Sequence, residues 1–336
     1  LARFHQYATD TYKLDIAKNK WISWGGSYPG MLASWVRLKF PHLIHASVAS
    51  SAPVHTKLAM PEYNDHVAFA FGLADVGGSD QCVAAITSGH AEIGAMMKTD
   101  DGRKKLKVLF PSLPSADWLK TRANQAMFAG EGVAQFPAQD NDPSCTDPAC
   151  NIEKICEMMA TLETDHVAAL AKVASVQAAW DKTGFFYSFE ETKAADELPA
   201  FWFWQTCAEM GFYQTCDVGS KCMYTQGLNT LEDNMGPCTT MFGIDAATVA
   251  ENVNYTDLYY GGLHPSGTKV LWPNGEVDPW STLSVLKSPG LEQPVLYVKG
   301  ASHHFWTHVP KPTDQKPIVQ ARLAIRKQVS DWLSEP

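Results

Sequence analysis

The chain has no long cationic run: the densest is Arg103-Lys104-Lys105, and the formal charge is −9 over 336 residues. A nucleic-acid partner needs a basic footprint, and none is present. No stretch approaches the ~20 apolar residues that cross a bilayer, so no membrane span is expected. The first residues, Leu1-Ala2-Arg3-Phe4-His5, open directly into an amphipathic pattern with no export signal, so such a signal would have been removed or lie on sequence outside this chain. Cysteine is missing before Cys82 and after Cys238, and no Cys-x-x-Cys pair or nearby ligand-spaced histidine suggests zinc. Repeats and low-complexity tracts are absent as well.

Hydrophobic residues make up 45% of the chain, with 23 Gly and 20 Pro spread along it, which fits one large globular domain with an insertion, or two domains. The eleven Trp are expected mostly in cores and interfaces. The eight cysteines (Cys82, Cys145, Cys150, Cys156, Cys207, Cys216, Cys222 and Cys238) are an even set, read as disulfides made in an oxidising compartment. The sequon Asn254-Tyr255-Thr256 makes Asn254 a glycosylation candidate and points to the same compartment.

Residues 1–58 and 255–336 are cysteine-free and rich in short β-type runs joined by Gly and Pro. Residues 59–254 carry every cysteine and follow a helical period, as over Glu153 to Val176, while Asp140 to Pro148 reads as a loop. The pattern predicts a discontinuous α/β framework interrupted by a helical, disulfide-stapled insertion. In the framework, strands are expected near 20–24, 44–52, 268–272 and 294–298. A helix is expected from Met31 to Phe40, ended by Pro41, and another over Val319 to Leu333.

The first of these strands runs into Gly25-Gly26-Ser27-Tyr28-Pro29-Gly30 and then a helix. A serine between strand and helix, flanked by residues without Cβ, is a nucleophile elbow: the tight turn exposes the hydroxyl at a helix N-terminus. Here Pro29 holds the place of the last glycine in G-x-S-x-G, and Gly30 follows. Two later strands each run into a polar loop, Asn274-Gly275-Glu276-Val277-Asp278-Pro279-Trp280 and Gly300-Ala301-Ser302-His303-His304. Ser27, Asp278, His303 is the chain order of α/β-hydrolase triads, with nucleophile, orienting acid and base at strand carboxyl ends. Each residue alone has an ordinary structural reading; the shared strand context favours the triad.

These three motifs resemble the proline-directed serine peptidases, the family of prolylcarboxypeptidase, dipeptidyl peptidase II and thymus-specific serine protease. The resemblance covers nearly the whole chain, and Trp204 to Met210 with Gly211 to Cys216 look nearest to the thymus-specific branch. It implies an α/β-hydrolase fold, short of its N-terminal strands, with an inserted helical, disulfide-bonded lid. It selects His303 over His304 as base and implies a small apolar S1 pocket walled by Met31, Trp280 and the Phe212-Tyr213 region. It also implies the pairings Cys82–Cys216 and Cys207–Cys238, leaving Cys145, Cys150, Cys156 and Cys222 in any of three arrangements.

The expected activity is an exopeptidase cleaving after proline through an acyl-enzyme, from either peptide end, in a secreted, lysosomal or vacuolar protein. The backbone N–H of Tyr28 is one expected oxyanion donor, and the chemistry calls for no metal or organic cofactor. Against the family, only 26 residues precede Ser27. The expected strands are about half of a full sheet, so a missing N-terminal segment or a partner chain is expected beside residues 20–24. A homodimer is also compatible with the sequence. Two other readings remain open: a silent binding or structural subunit that keeps the fold, and a hydrolase of esters or non-prolyl peptides.

Overall fold

The computed structural model describes residues 1–162, 164–180, 197–290 and 292–335. Among the described residues six strands occur in chain order: β1 Ile22–Gly26, β2 Ala46–Ser50, β3 Lys57–Ala59, β4 Gly211–Tyr213, β5 Val270–Gly275 and β6 Val295–Val298. The chain divides into two units, Leu1–Thr56 with Asn254–Pro336, and Lys57–Val253. Composition placed these boundaries near 58 and 255.

In the first unit β1, β2, β5 and β6 form one parallel sheet in that order. Parallel central strands are covered on both faces and read as unbroken apolar runs rather than alternating ones. β2 and β5 obey this at every residue, all of which are buried. Lys316–Ser334 forms a helix whose Ile318, Ala321, Ile325 and Trp332 pack with Val48, Leu271 and Val298 of the sheet. β1 differs: it is an edge strand among the described residues, and Trp24 is 51% exposed.

The helix that follows β1, Tyr28–Lys39, begins three residues earlier than its periodicity suggested. Pro29 lies in its first turn, where proline's missing N–H costs no intrahelical bond. Near its end Arg37 is buried, and burial lowers its affinity for its proton. Its guanidinium donates to the carbonyls of Thr268, Pro41 and Ile44 and to the Thr268 hydroxyl, so a buried charge ties helix, loop and sheet together.

The second unit is mainly helical, with β3 and β4 forming a small parallel pair. Its helices start on polar caps: Ser79, Thr99, Thr121, Asn151 and Thr230 each accept a backbone N–H from the first turn. The single helical run read over Glu153 to Val176 is two helices, Ile152–Ala160 and His166–Trp180. Asp165 accepts from the Ala168 N–H at 2.9 Å, and this local bond starts the second helix afresh.

All eight cysteines lie in this unit and form four disulfides: Cys82–Cys156, Cys145–Cys150, Cys207–Cys238 and Cys216–Cys222. Cys207–Cys238 agrees with the resemblance, whereas Cys82–Cys216 does not. Cys82 sits in the first turn of the helix Asp80–Met96, against the helix Ile152–Ala160, which brings Cys156 to a Cα separation of 5.3 Å. Cys216 instead closes a short turn to Cys222 through Gly219, whose φ of +88° L side chains rarely adopt.

Candidate active site

Ser27 stands where β1 ends and a helix begins, with φ +60° and ψ −133°, a conformation rare for a residue bearing a Cβ. The turn is held from both sides. Its N–H donates to Ser50 O at 2.9 Å, and its carbonyl accepts from the N–H groups of Gly30 and Met31. The neighbouring glycines are sterically required. A Cβ on Gly25 would lie 2.1 Å from Pro29 O, and one on Gly30 would lie 2.9 Å from Ser50 O. Gly30 therefore supplies the close helix-to-strand approach, one position beyond where G-x-S-x-G puts it.

Asp278, the expected acid, comes from the loop after β5. Asp278 is fully buried and accepts the Trp280 N–H on Oδ1 at 2.9 Å. Both of its carboxylate oxygens lie 2.9 Å from Nδ1 of His303, which comes from the loop after β6. An ionised carboxylate only accepts, so Nδ1 carries the proton and Nε2 keeps its lone pair. That Nε2 is buried and has no hydrogen-bond partner among the described residues. The imidazole is thus held in the tautomer and orientation of a general base with its accepting nitrogen unoccupied.

Several residues besides Ser27, Asp278 and His303 hold these loops in place. Asn274 donates to Val285 O, which folds the acid loop back on itself. A Cβ on Gly275 would come 2.3 Å from Ala301 O, so only glycine lets acid and base loops run this close. Glu276 accepts the Gly300 N–H and Val277 donates to Ala301 O, lacing the two loops together. Ser51, at φ +45° just past β2, accepts the His304 N–H, and Ser50 accepts the indole N–H of Trp306. In sequence Ser50 and Ser51 are indistinguishable from small strand residues, and Glu276 is an unassigned position inside a motif, so their roles show only in the fold.

His304 occupies a different place. Its ring lies against Gly26, where a Cβ would meet it at 2.9 Å, and its centroid is 4.4 Å from that of His303. Burial, with a smaller push from His303, brings its pKa down to about 4. It has no hydrogen bond to Asp278, whose carboxylate bonds only His303 of the two histidines.

The hydrogen bond that a triad reading requires between Ser27 and His303 is not formed: neither histidine ring bonds Ser27 Oγ among the described residues. Catalytic contacts of this kind often close only when substrate is present. Of the residues expected to wall a pocket, Met31 is fully buried one turn into the helix Tyr28–Lys39, and the Trp280 ring centroid is 6.4 Å from that of His303. Phe212 belongs to the other unit, buried on β4 with φ +66°. Asn254 is exposed on the helix Ala246–Tyr260.

The profile of the serine carboxypeptidase S28 family matches residues 1–325. Thymus-specific serine protease of Mus musculus is 33% identical over 334 residues, covering 95% of this chain and 65% of that protein. The Homo sapiens protein of that name is 34% identical over 332 residues, covering 94% and 64%. Lysosomal Pro-X carboxypeptidase of Bos taurus is 24% identical over 334 residues, covering 94% and 63%. The chain thus spans about 65% of the length of the curated relatives it matches.

Proposed function

The chain belongs to the serine carboxypeptidase S28 family, and on that premise we propose that it is a serine exopeptidase cleaving after proline, with Ser27 as nucleophile, His303 as base and Asp278 as orienting acid. The observation that carries the reading is the His303 imidazole, pinned by both Asp278 oxygens with Nε2 unoccupied, in the unit that also holds the strained Ser27 turn. Nε2 takes the Ser27 proton as Oγ attacks the peptide carbonyl. Asp278 stabilises the imidazolium that forms. The tetrahedral oxyanion is stabilised by the Tyr28 N–H, at the first position of the nucleophile helix. The imidazolium then protonates the leaving amine, and water hydrolyses the acyl-enzyme by the same route.

Proline preference is supported by the Pro-X named in the bovine relative and by the apolar Met31 and Trp280 attached to the nucleophile and acid motifs. Met31 and Trp280 are the S1 walls of this reading. A panel of short peptides differing only in the residue before the cleaved bond tests this. Faster cleavage after proline than after alanine is expected, and equal rates would leave a general serine peptidase.

The edge position of β1 supports one further element of the reading: an additional strand, from the same gene product or a partner, pairs beside it. Hollows of about 270 and 290 Å³ flank β1, with half-exposed Trp24 lining both. A parallel sheet bearing a nucleophile strand is ordinarily covered there, since an open edge leaves backbone N–H and C=O groups unpaired. These residues expressed alone as a soluble, cooperatively melting, active monomer would contradict it. The four disulfides and the lysosomal relatives support a secreted or lysosomal location, with Asn254 as a glycosylation site.

A further inference from the structure

The four disulfides are not chemically equivalent. Cys207, Cys238, Cys216 and Cys222 are fully buried, and Cys82 and Cys156 are 5% and 8% exposed. Cys145 and Cys150 are only half-buried and bridge a spacing of five residues, against 74 for Cys82–Cys156 and 31 for Cys207–Cys238. A shorter closed loop restrains the unfolded chain less, so opening this bond costs the fold least. The remaining short bridge, Cys216–Cys222, is the fully buried one.

Beside the accessible bond sits a cation. Lys154 Nζ lies 3.7 Å from Cys150 Sγ and is held there by donating to Cys145 O at 2.8 Å and Asp147 O at 3.1 Å. Cys150 also directly precedes Asn151, the N-cap of the helix Ile152–Ala160. An ammonium and a helix N-terminus both favour a thiolate over a thiol. Within the bridged loop Ala149 has φ +54°, a left-handed backbone that opening the loop would relieve.

We infer that Cys145–Cys150 is an exchange-labile disulfide that reacts with low-molecular-weight thiols, with Cys150 as leaving group. A thiolate attacks Cys145 Sγ, forming a mixed disulfide as the Cys145–Cys150 bond breaks. Its electron pair leaves on Cys150, whose thiolate is stabilised by Lys154. A second thiolate attacks the small-molecule sulfur of the mixed disulfide, releases the oxidised thiol and frees Cys145; the reverse sequence restores the bond. The loop also touches the helix His166–Trp180, because Ala149 O accepts from Gln177 Nε2 and Pro148 O from the Trp180 indole N–H, both at 2.9 Å. Trp180 therefore reports the opening.

The test treats the intact chain with rising reduced glutathione, alkylates the freed thiols and maps them by peptide mass spectrometry. Cys145 and Cys150 should open at a thiol concentration about tenfold below the other six cysteines, with the first glutathione adduct on Cys145. A fluorescence change should accompany it and be absent from Trp180→Phe. Lys154→Gln should slow the opening about tenfold while Lys154→Arg keeps it close to the native rate. Simultaneous opening of all four bonds, a first adduct on Cys150, or a Lys154→Gln rate equal to the native one would each overturn the inference. The position of the first adduct is read on the unaltered chain, so the answer does not depend on any variant folding.

Discussion

The unit that carries Ser27, Asp278 and His303 contains no cysteine, whereas the unit from Lys57 to Val253 contains all eight. In the first, each interior strand is restrained by two neighbours, and the loops beyond them are pinned by single polar contacts such as Glu276 to Gly300. In the second, helices are joined by irregular stretches and share only the short β3–β4 pair, so no sheet fixes their ends. Covalent bridges take over that task. The difference teaches where each unit is fragile: the first at residues that let loops approach closely, the second at its bridges and at buried polar groups.

The largest expected effect falls in the first unit. Asp278→Asn preserves shape but presents an amide to Nδ1 and loses the charge that stabilises the imidazolium. Peptidase kcat/KM should fall by about 10⁴ with the thermal midpoint little changed. A loss of less than tenfold would remove Asp278 from the acid role.

In the second unit, Cys82→Ser combined with Cys156→Ser opens a bridge across 74 residues and should cost on the order of 4 kcal/mol. Hydrogen exchange should quicken in the helices Asp80–Met96 and Ile152–Ala160 and stay unchanged in β2 and β5. Equal loss of protection in the sheet would mean that the two units do not stabilise themselves separately.

A smaller effect in the same unit depends on pH. His90 is fully buried, accepts the Val133 N–H on Nε2 and directs Nδ1 to Ile86 O, between the rings of Phe136 and Tyr224. Burial brings its pKa down to about 4 from an ordinary 6.5. The unfolded chain therefore takes up the proton first as pH falls. Stability from this group is complete above pH 6.5 and is lost progressively toward pH 4, by about 3 kcal/mol at most. Urea midpoints at pH 7, 5.5 and 4 should show this decline, and His90→Gln should flatten it.

The sheet was legible because β2 and β5 are buried runs and β6 is a short Val-Leu-Tyr-Val run, each ended by Gly or a polar loop, and local pattern registers that directly. The meeting of Asp278 and His303 was legible because both follow strand-to-loop junctions, which are local. What sequence could not supply is contact between distant segments. Cys82 and Cys156 meet through the packing of two helices, which no spacing encodes, and the expected partner Cys216 closes its own turn instead. Ser51 matters through an N–H contributed 253 residues later, and Glu276 through Gly300 in a separate loop. The break at Asp165 is a capping bond inside a run that is otherwise uniformly apolar in period.

The most direct test of the account is covalent labelling of the intact chain with a fluorophosphonate, mapped by mass spectrometry in the native protein, His303→Ala and His304→Ala. A single adduct on Ser27 is predicted. His303→Ala should abolish it because the base is gone, while His304→Ala should retain it. An adduct elsewhere, or labelling that survives His303→Ala and fails in His304→Ala, would contradict the assignment of His303 and Ser27 as base and nucleophile.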